Sequence, residues 1–120
     1  MNIKKISLAL SLSLLTLPAF ADVTASHSQI ILGTDTEDSV AVTLKYQAGD
    51  TLSFSAPSVN SPYILSGCDI SGATVDGECQ LTITSSAITA DESDFFTITA
   101  THTDASSNTV PLFVSSYYNE

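Results

Sequence analysis

Few side chains in this sequence could do chemistry. Its two cysteines, Cys68 and Cys79, stand in the stretch SGCDISGATVDGECQLTIT at residues 66–84, with Gly72 and the turn-forming pair Asp76 and Gly77 between them. Tetrahedral zinc takes about four ligands, and the two histidines, His27 and His102, lie far from the cysteines along the chain. The spacing is not the Cys-x-x-Cys of redox catalysis. An even cysteine count in an exported protein implies a bridge, so Cys68 and Cys79 are expected to form a structural disulfide.

Carboxylates cluster at Asp35, Glu37 and Asp38 and again at Asp91, Glu92 and Asp94. Calcium takes about six to eight oxygens in irregular geometry, which makes Asp91, Glu92 and Asp94 weak Ca²⁺ candidates. Neither cluster has the Asp-x-Asp-x-Asp-Gly spacing of a calcium loop, so solvated turns are the favoured reading. Nucleophilic catalysis needs a Ser or Cys held by a His and an orienting acid. No Gly-x-Ser-x-Gly elbow is present, and His27 and His102 are expected at the surface or rim. Adjacent loop acids do not define the cleft that glycoside hydrolysis requires. The sequence therefore predicts no enzyme, no catalytic residues, no resident metal and no cofactor. Near the carboxyl terminus, Phe113, Tyr117 and Tyr118 either anchor a partner or pack over a sheet edge.

The elements that must position these groups follow an export signal. MNIKKISLALSLSLLTLPAFA has Lys4 and Lys5, an apolar run from Ile6 to Leu17, Pro18 and the small-residue pattern Ala19, Phe20, Ala21. This is the layout of a secretory signal peptide over residues 1–21, cut between Ala21 and Asp22. The run is shorter than the roughly 20 residues of a membrane helix, so no membrane span is expected after cleavage. Asp22 in place of a cysteine argues against lipid attachment. A periplasmic or extracellular protein is expected, its residues 22–120 forming one domain.

The whole chain has 13 acidic residues against three lysines or arginines, a net charge of −10. Past residue 21, Lys45 is the one lysine and arginine is absent. Such an acidic protein is not suited to nucleic acid or anionic lipid, which need basic residues against phosphate.

Short apolar-polar alternations rich in Thr and Val, separated by Gly, Asp, Asn, Ser and Pro clusters, predict strands. In SVAVTLKY, Val40, Val42, Leu44 and Tyr46 share a face; QAGD then turns into TLSFS, and the two runs are expected to form a hairpin. Cys79, Leu81 and Ile83 share a face in CQLTIT, as do Phe96, Ile98 and Ala100 in FTITATH and Val110, Leu112 and Val114 in VPLFV. Pro111 lacks an N–H and is expected at an edge or bulge. The apolar phase changes within VTASHSQIIL at residues 23–32, so that strand is expected to bend and serve both sheets. About seven short strands in a domain of this size predict a β-sandwich of two antiparallel sheets.

The stretch LTITSSAITADESDFFTITATHTDASSNTVPLFV at residues 81–114 resembles the last three strands of an immunoglobulin-superfamily domain. Leu81 and Ile83 match strand E, Ile88 the following apolar residue, and Asp91 with Glu92 the acidic corner. Phe96 stands at the strand F tyrosine position, Ile98 at that of the second cysteine, and Leu112 and Val114 match strand G. Val42, Leu44 and Tyr46 match strand B, with Tyr46 at the first cysteine. With Tyr46 and Ile98 at the cysteine positions and no Trp for strand C, the resemblance implies the all-β fold: an immunoglobulin-like antiparallel β-sandwich of the exported bacterial kind.

A compact β-scaffold with polar loops and no catalytic constellation implies an exported, non-enzymatic module binding a protein or surface glycan through loops or an exposed strand. One alternative is a fimbrial-like fibre subunit. Another is a small Ca²⁺-binding or hydrolytic exported protein.

Overall fold

Period-two alternation sets the strands, and their apolar faces meet in one core. The computed structural model describes residues 21–33 and 38–118; the segment through residue 20, where the sequence leads one to expect a signal peptide, and Asp35 and Glu37, lie outside them. In chain order the strands are β1 (Thr24–Ala25), β2 (Gln29–Leu32), β3 (Asp38–Tyr46), β4 (Thr51–Phe54), β5 (Tyr63–Ser66), β6 (Gly77–Ser85), β7 (Glu92–Thr101) and β8 (Ser107–Ser116). They make two four-stranded sheets, β1-β3-β6-β5 and β2-β8-β7-β4. That is the A-B-E-D on G-F-C order of an immunoglobulin-like sandwich, with β3, β6, β7 and β8 in the places the resemblance gives strands B, E, F and G.

The core lies between the sheets. Val42, Leu44, Leu81, Ile83, Phe96, Ile98, Ala100 and Leu112 are wholly buried, joined by Val23, Tyr63 and Val114. Tyr46 and Cys79 pack at its margin. The in-phase residues read from the sequence thus do face inward, because burying one face of each strand is the main return on ordering the chain.

Segment 23–32 serves both sheets as expected. β1 pairs antiparallel with β3, and β2 pairs with β8. Ser26 makes the switch: its N–H donates to the Thr43 carbonyl and its hydroxyl accepts from the Thr43 N–H. The strand count is therefore eight rather than about seven, and the β2–β8 pairing is parallel, an exception to the antiparallel expectation. A chain that crosses from one sheet to the other while keeping its direction meets β8 in parallel.

The expected hairpin of residues 39–46 with 51–55 does not form. β3 pairs with β1 and β6, whereas β4 pairs with β7 in the other sheet. The turn residues carry the chain across the end of the core instead. Asp50, fully buried, accepts from the Gln47 N–H at Oδ2 (2.9 Å), while its Oδ1 lies 3.0 Å from His102 Nδ1 at the end of β7. Gly49 has φ +92°, and a Cβ there would lie 2.6 Å from His102 Cε1. Only glycine combines that dihedral with that approach.

Pro111 sits where its missing N–H costs nothing. The Phe113 N–H points toward β2 and donates to the Ser28 carbonyl (2.8 Å). Pro111, two residues earlier, faces the same way, beyond the end of β2, whose pairing with β8 begins at Gln29↔Phe113.

Candidate functional site

The outward positions of the β2-β8-β7-β4 sheet are Gln29 and Ile31, then Ser107, Thr109, Pro111, Phe113 and Ser115, then Ser93, Phe95, Thr97, Thr99 and Thr101, then Thr51 and Ser53. None is charged, in a chain of net charge −10. Threonine suits these positions because its β-branch fits the pleat while its hydroxyl remains solvated. Thr99 and Thr109 join hydroxyls across β7 and β8 at 2.9 Å.

One end of this face is aromatic. Phe95 and Phe113 are cross-strand partners whose ring centroids lie 4.7 Å apart, tilted by 45°, an arrangement that favours the ring quadrupoles. Ile31, Phe95, Phe113 and Tyr117 are 62%, 48%, 51% and 56% exposed, which leaves four apolar side chains in water on one face. Beside it lies an open groove of about 710 Å³ with Phe95, Phe113 and Tyr117 on its walls and Gln29, Ser58, Ser93, Asp94 and Ser115 at its rim.

Two of the acids proposed as Ca²⁺ candidates, Asp91 and Asp94, hold the walls of this groove. The Tyr118 N–H donates to Asp91 Oδ1 (2.8 Å), returning the tail so that Tyr117 stands by the phenyl pair. Asp94 accepts from the Ser58 N–H (3.0 Å), the Ser58 hydroxyl (2.6 Å) and the Phe95 N–H (2.8 Å), fixing the loop after β4. Glu92 contributes its carbonyl, 3.2 Å from the Tyr63 hydroxyl. Asp38 is engaged by the N–H groups of Gly33 and Ser39. Among the described residues no three His, Cys, Asp or Glu side chains come together to hold a metal.

Partial burial of Asp94 opposes its charged form, but hydrogen bonds from the Ser58 and Ser61 hydroxyls and the Ser58 and Phe95 N–H groups outweigh it and hold its carboxyl below the usual aspartate range. Because its folded value lies below the unfolded one, Asp94 contributes its full stability above the unfolded pKa of about 4 and loses it as pH falls through the folded value. Asp94→Asn is therefore expected to cost about 1 kcal/mol at neutral pH, a gap that closes below about pH 4. Urea denaturation of both proteins across that range measures it.

Tyr63 spans the two sheets. Its hydroxyl, on β5, reaches the Glu92 carbonyl and the Ser116 hydroxyl (2.9 Å), ends of β7 and β8 in the opposite sheet. Burial pushes its phenol up. Phe96 cannot make the hydrogen bond that the strand F tyrosine makes in the family, and Tyr63 supplies a different inter-sheet one. Sequence reasoning missed Tyr63 and Phe95; the doublet Phe95 and Phe96 was the available signal, since alternation forces one ring outward.

Cys68 and Cys79 are joined, Cα atoms 5.3 Å apart. The stapled loop is tied to the β3–β4 corner by hydrogen bonds from Gly49 N to the Ala73 carbonyl, Ala73 N to the Asp50 carbonyl and Ala48 N to Asp76 Oδ1. His27 is exposed, its Nδ1 3.0 Å from the Ser26 hydroxyl. His102, expected at the surface or rim, is instead 9% exposed at the side chain and packed in the corner. Among the described residues its ring has Asp50 as hydrogen-bond partner, with no hydroxyl nucleophile bound to it.

No protein-family model matches this chain, and no curated protein matches it. Among solved structures it is similar to the ASH / PapD-like domain of human CEP192 (PapD-like domain 7), with a TM-score of 0.59 and 16% identity over 88% of this chain and 90% of that one. At that identity the likeness is one of fold, an immunoglobulin-like all-β sandwich.

Proposed function

We propose that this chain is an exported, non-enzymatic interaction module that docks a protein or surface glycan on the outer face of β2, β8 and β7. The observation that carries the reading is the uncharged face, with four exposed apolar side chains at one end. Exposed aromatic clusters of this kind anchor interfaces because rigid rings bury much area at little entropic cost. The sequence placed recognition in loops or an exposed strand; the loop acids instead support the aromatic groove.

Phe95 and Phe113 point away from the core, so Phe95→Ser and Phe113→Ser should leave the protein folded at a cost of about 1 kcal/mol, that of losing the ring pair. Each is expected to abolish retention of the purified protein on cell-envelope or host-surface fractions. Retention equal to that of the parent protein would refute the reading.

Export rests on residues 1–21. Cutting after Ala21 removes the hydrogen bond from the Ala21 N–H to the Ser106 hydroxyl but keeps that from Val23 N to Asn108 Oδ1, next to the buried Val23 side chain. Amino-terminal sequencing of the exported protein is expected to begin at Asp22. The fibre-subunit reading has less support, because β8 is the last strand of the sandwich and lies between β2 and β7. A subunit completed by strand exchange would lack one strand.

A further inference from the structure

We infer that the free edge of β4 is a docking site for an extended segment of a partner protein, apolar at alternate positions and basic where it meets Asp69. The site is independent of the aromatic face. Its first element is the backbone of β4. The Ser55 N–H donates to the Thr97 carbonyl, which fixes the phase: Thr51, Ser53 and Ser55 turn their backbone groups toward β7, while Leu52 and Phe54 turn theirs away. The Leu52 N–H is taken by the Ile70 carbonyl (2.9 Å), so the stapled loop begins a pairing along this edge and then leaves it. The Leu52 carbonyl and both backbone groups of Phe54 have no hydrogen-bond partner among the described residues.

The second element is the edge of the other sheet. The Ser86 N–H donates to the Pro62 carbonyl, so Tyr63 and Leu65 turn their backbone groups outward from β5. The Ser61 hydroxyl takes the Tyr63 N–H (3.2 Å), and Leu65 has neither group paired among the described residues. Between the two edges lies a groove of about 450 Å³ with Phe54, Pro57, Leu65 and Leu81 on its walls. An added strand would present every second side chain to this groove, about 6.6 Å apart, while its backbone continued the ladder that Ile70 starts. Unpaired edges are templates for such pairing.

Charge selects the partner. Asp69 is the one charged residue among those lining the groove, and Lys45, the one lysine among the described residues, lies on β3 opposite Glu78. A cationic side chain on the incoming segment would complement Asp69, whereas a second acidic copy of this chain would not.

A capped heptapeptide alternating valine with threonine and ending in lysine tests the site. Added at millimolar concentration to the ¹⁵N-labelled protein, it is expected to slow exchange of the Phe54 amide by about tenfold or more. The same peptide N-methylated throughout keeps its charge and side chains and should give no protection. Asp69→Asn should weaken the effect severalfold while the chain remains folded. Unchanged exchange at Phe54, or equal protection by the methylated peptide, would overturn the inference. So would protection that rises with protein concentration without peptide, which would identify the occupant as a second copy.

Discussion

Asp50→Ala is expected to lower the stability of the fold by about 3 kcal/mol, the largest effect of any single polar substitution in the described residues. Asp50 is fully buried, and its two carboxyl oxygens serve the Gln47 N–H and the His102 ring. Alanine leaves both partners, themselves largely shielded from water, without their acceptor, and a stranded polar group costs more than the bond it has lost. The damage reaches across the sandwich, because this corner carries the chain from the β1-β3-β6-β5 sheet to the other one and is tied to the end of β7. Asp50→Asn can still accept from Gln47 and should recover about half of the loss. A double-mutant cycle with His102→Ala should return a coupling of about 1–2 kcal/mol, as groups in direct contact do. Urea denaturation measures all four proteins, and additive losses from the two sites would show that the contact contributes nothing.

Replacing Cys68 and Cys79 together by alanine should cost about 3 kcal/mol in the chain-entropy model, given a closed loop with a sequence separation of 11. A local consequence accompanies the global one. Cys68 holds φ 56° and Gly67 φ 91°; the first is a left-handed conformation that a residue with a Cβ adopts at a cost of about 1–2 kcal/mol. The bridge holds it there. Once it is removed, the loop that joins Ile70 to Leu52 and Ala73 to Gly49 and Asp50 is expected to open before the sandwich does. Amide exchange at Gly49, Leu52 and Ala73 should then quicken more than at Leu81 or Ile98 in the core. An equal change at all five positions would mean that the staple acts on the unfolded chain alone.

The inward faces of β3, β6, β7 and β8 were legible because burial imposes a period of two that Val42, Leu44, Leu81, Ile83, Phe96, Ile98, Leu112 and Val114 display directly. The change of phase in residues 23–32 was legible for the same reason, as a strand whose buried side switches. Pairing was not. TLSFS after SVAVTLKY has the pattern of a hairpin, and alternation says which way a side chain points but not which strand lies beside it. The choice between folding β4 back onto β3 and sending it across to β7 rests on Gly49 and Asp50 meeting His102, which lies 52 residues further along the chain.

The candidate site was legible in part. Phe113 and Tyr117 stood out as terminal aromatics, and Asp91 and Asp94 as clustered acids. That the acids hold the walls against which those aromatics stand depends on the Tyr118 N–H reaching Asp91 and on Ser58 reaching Asp94, contacts between segments far apart along the chain. Phe95 joined them because register sets it opposite Phe113.

By itself, then, the sequence determined a sandwich-forming set of strands, an acidic chain with a secretory leader pattern and a single cysteine pair, since composition and local periodicity are properties of neighbouring residues. The tertiary structure alone decided the partner of each strand, the burial of Asp50 against His102, the aromatic face and the unpaired β4 edge. Each of those depends on segments brought together only when the two sheets close over a shared core.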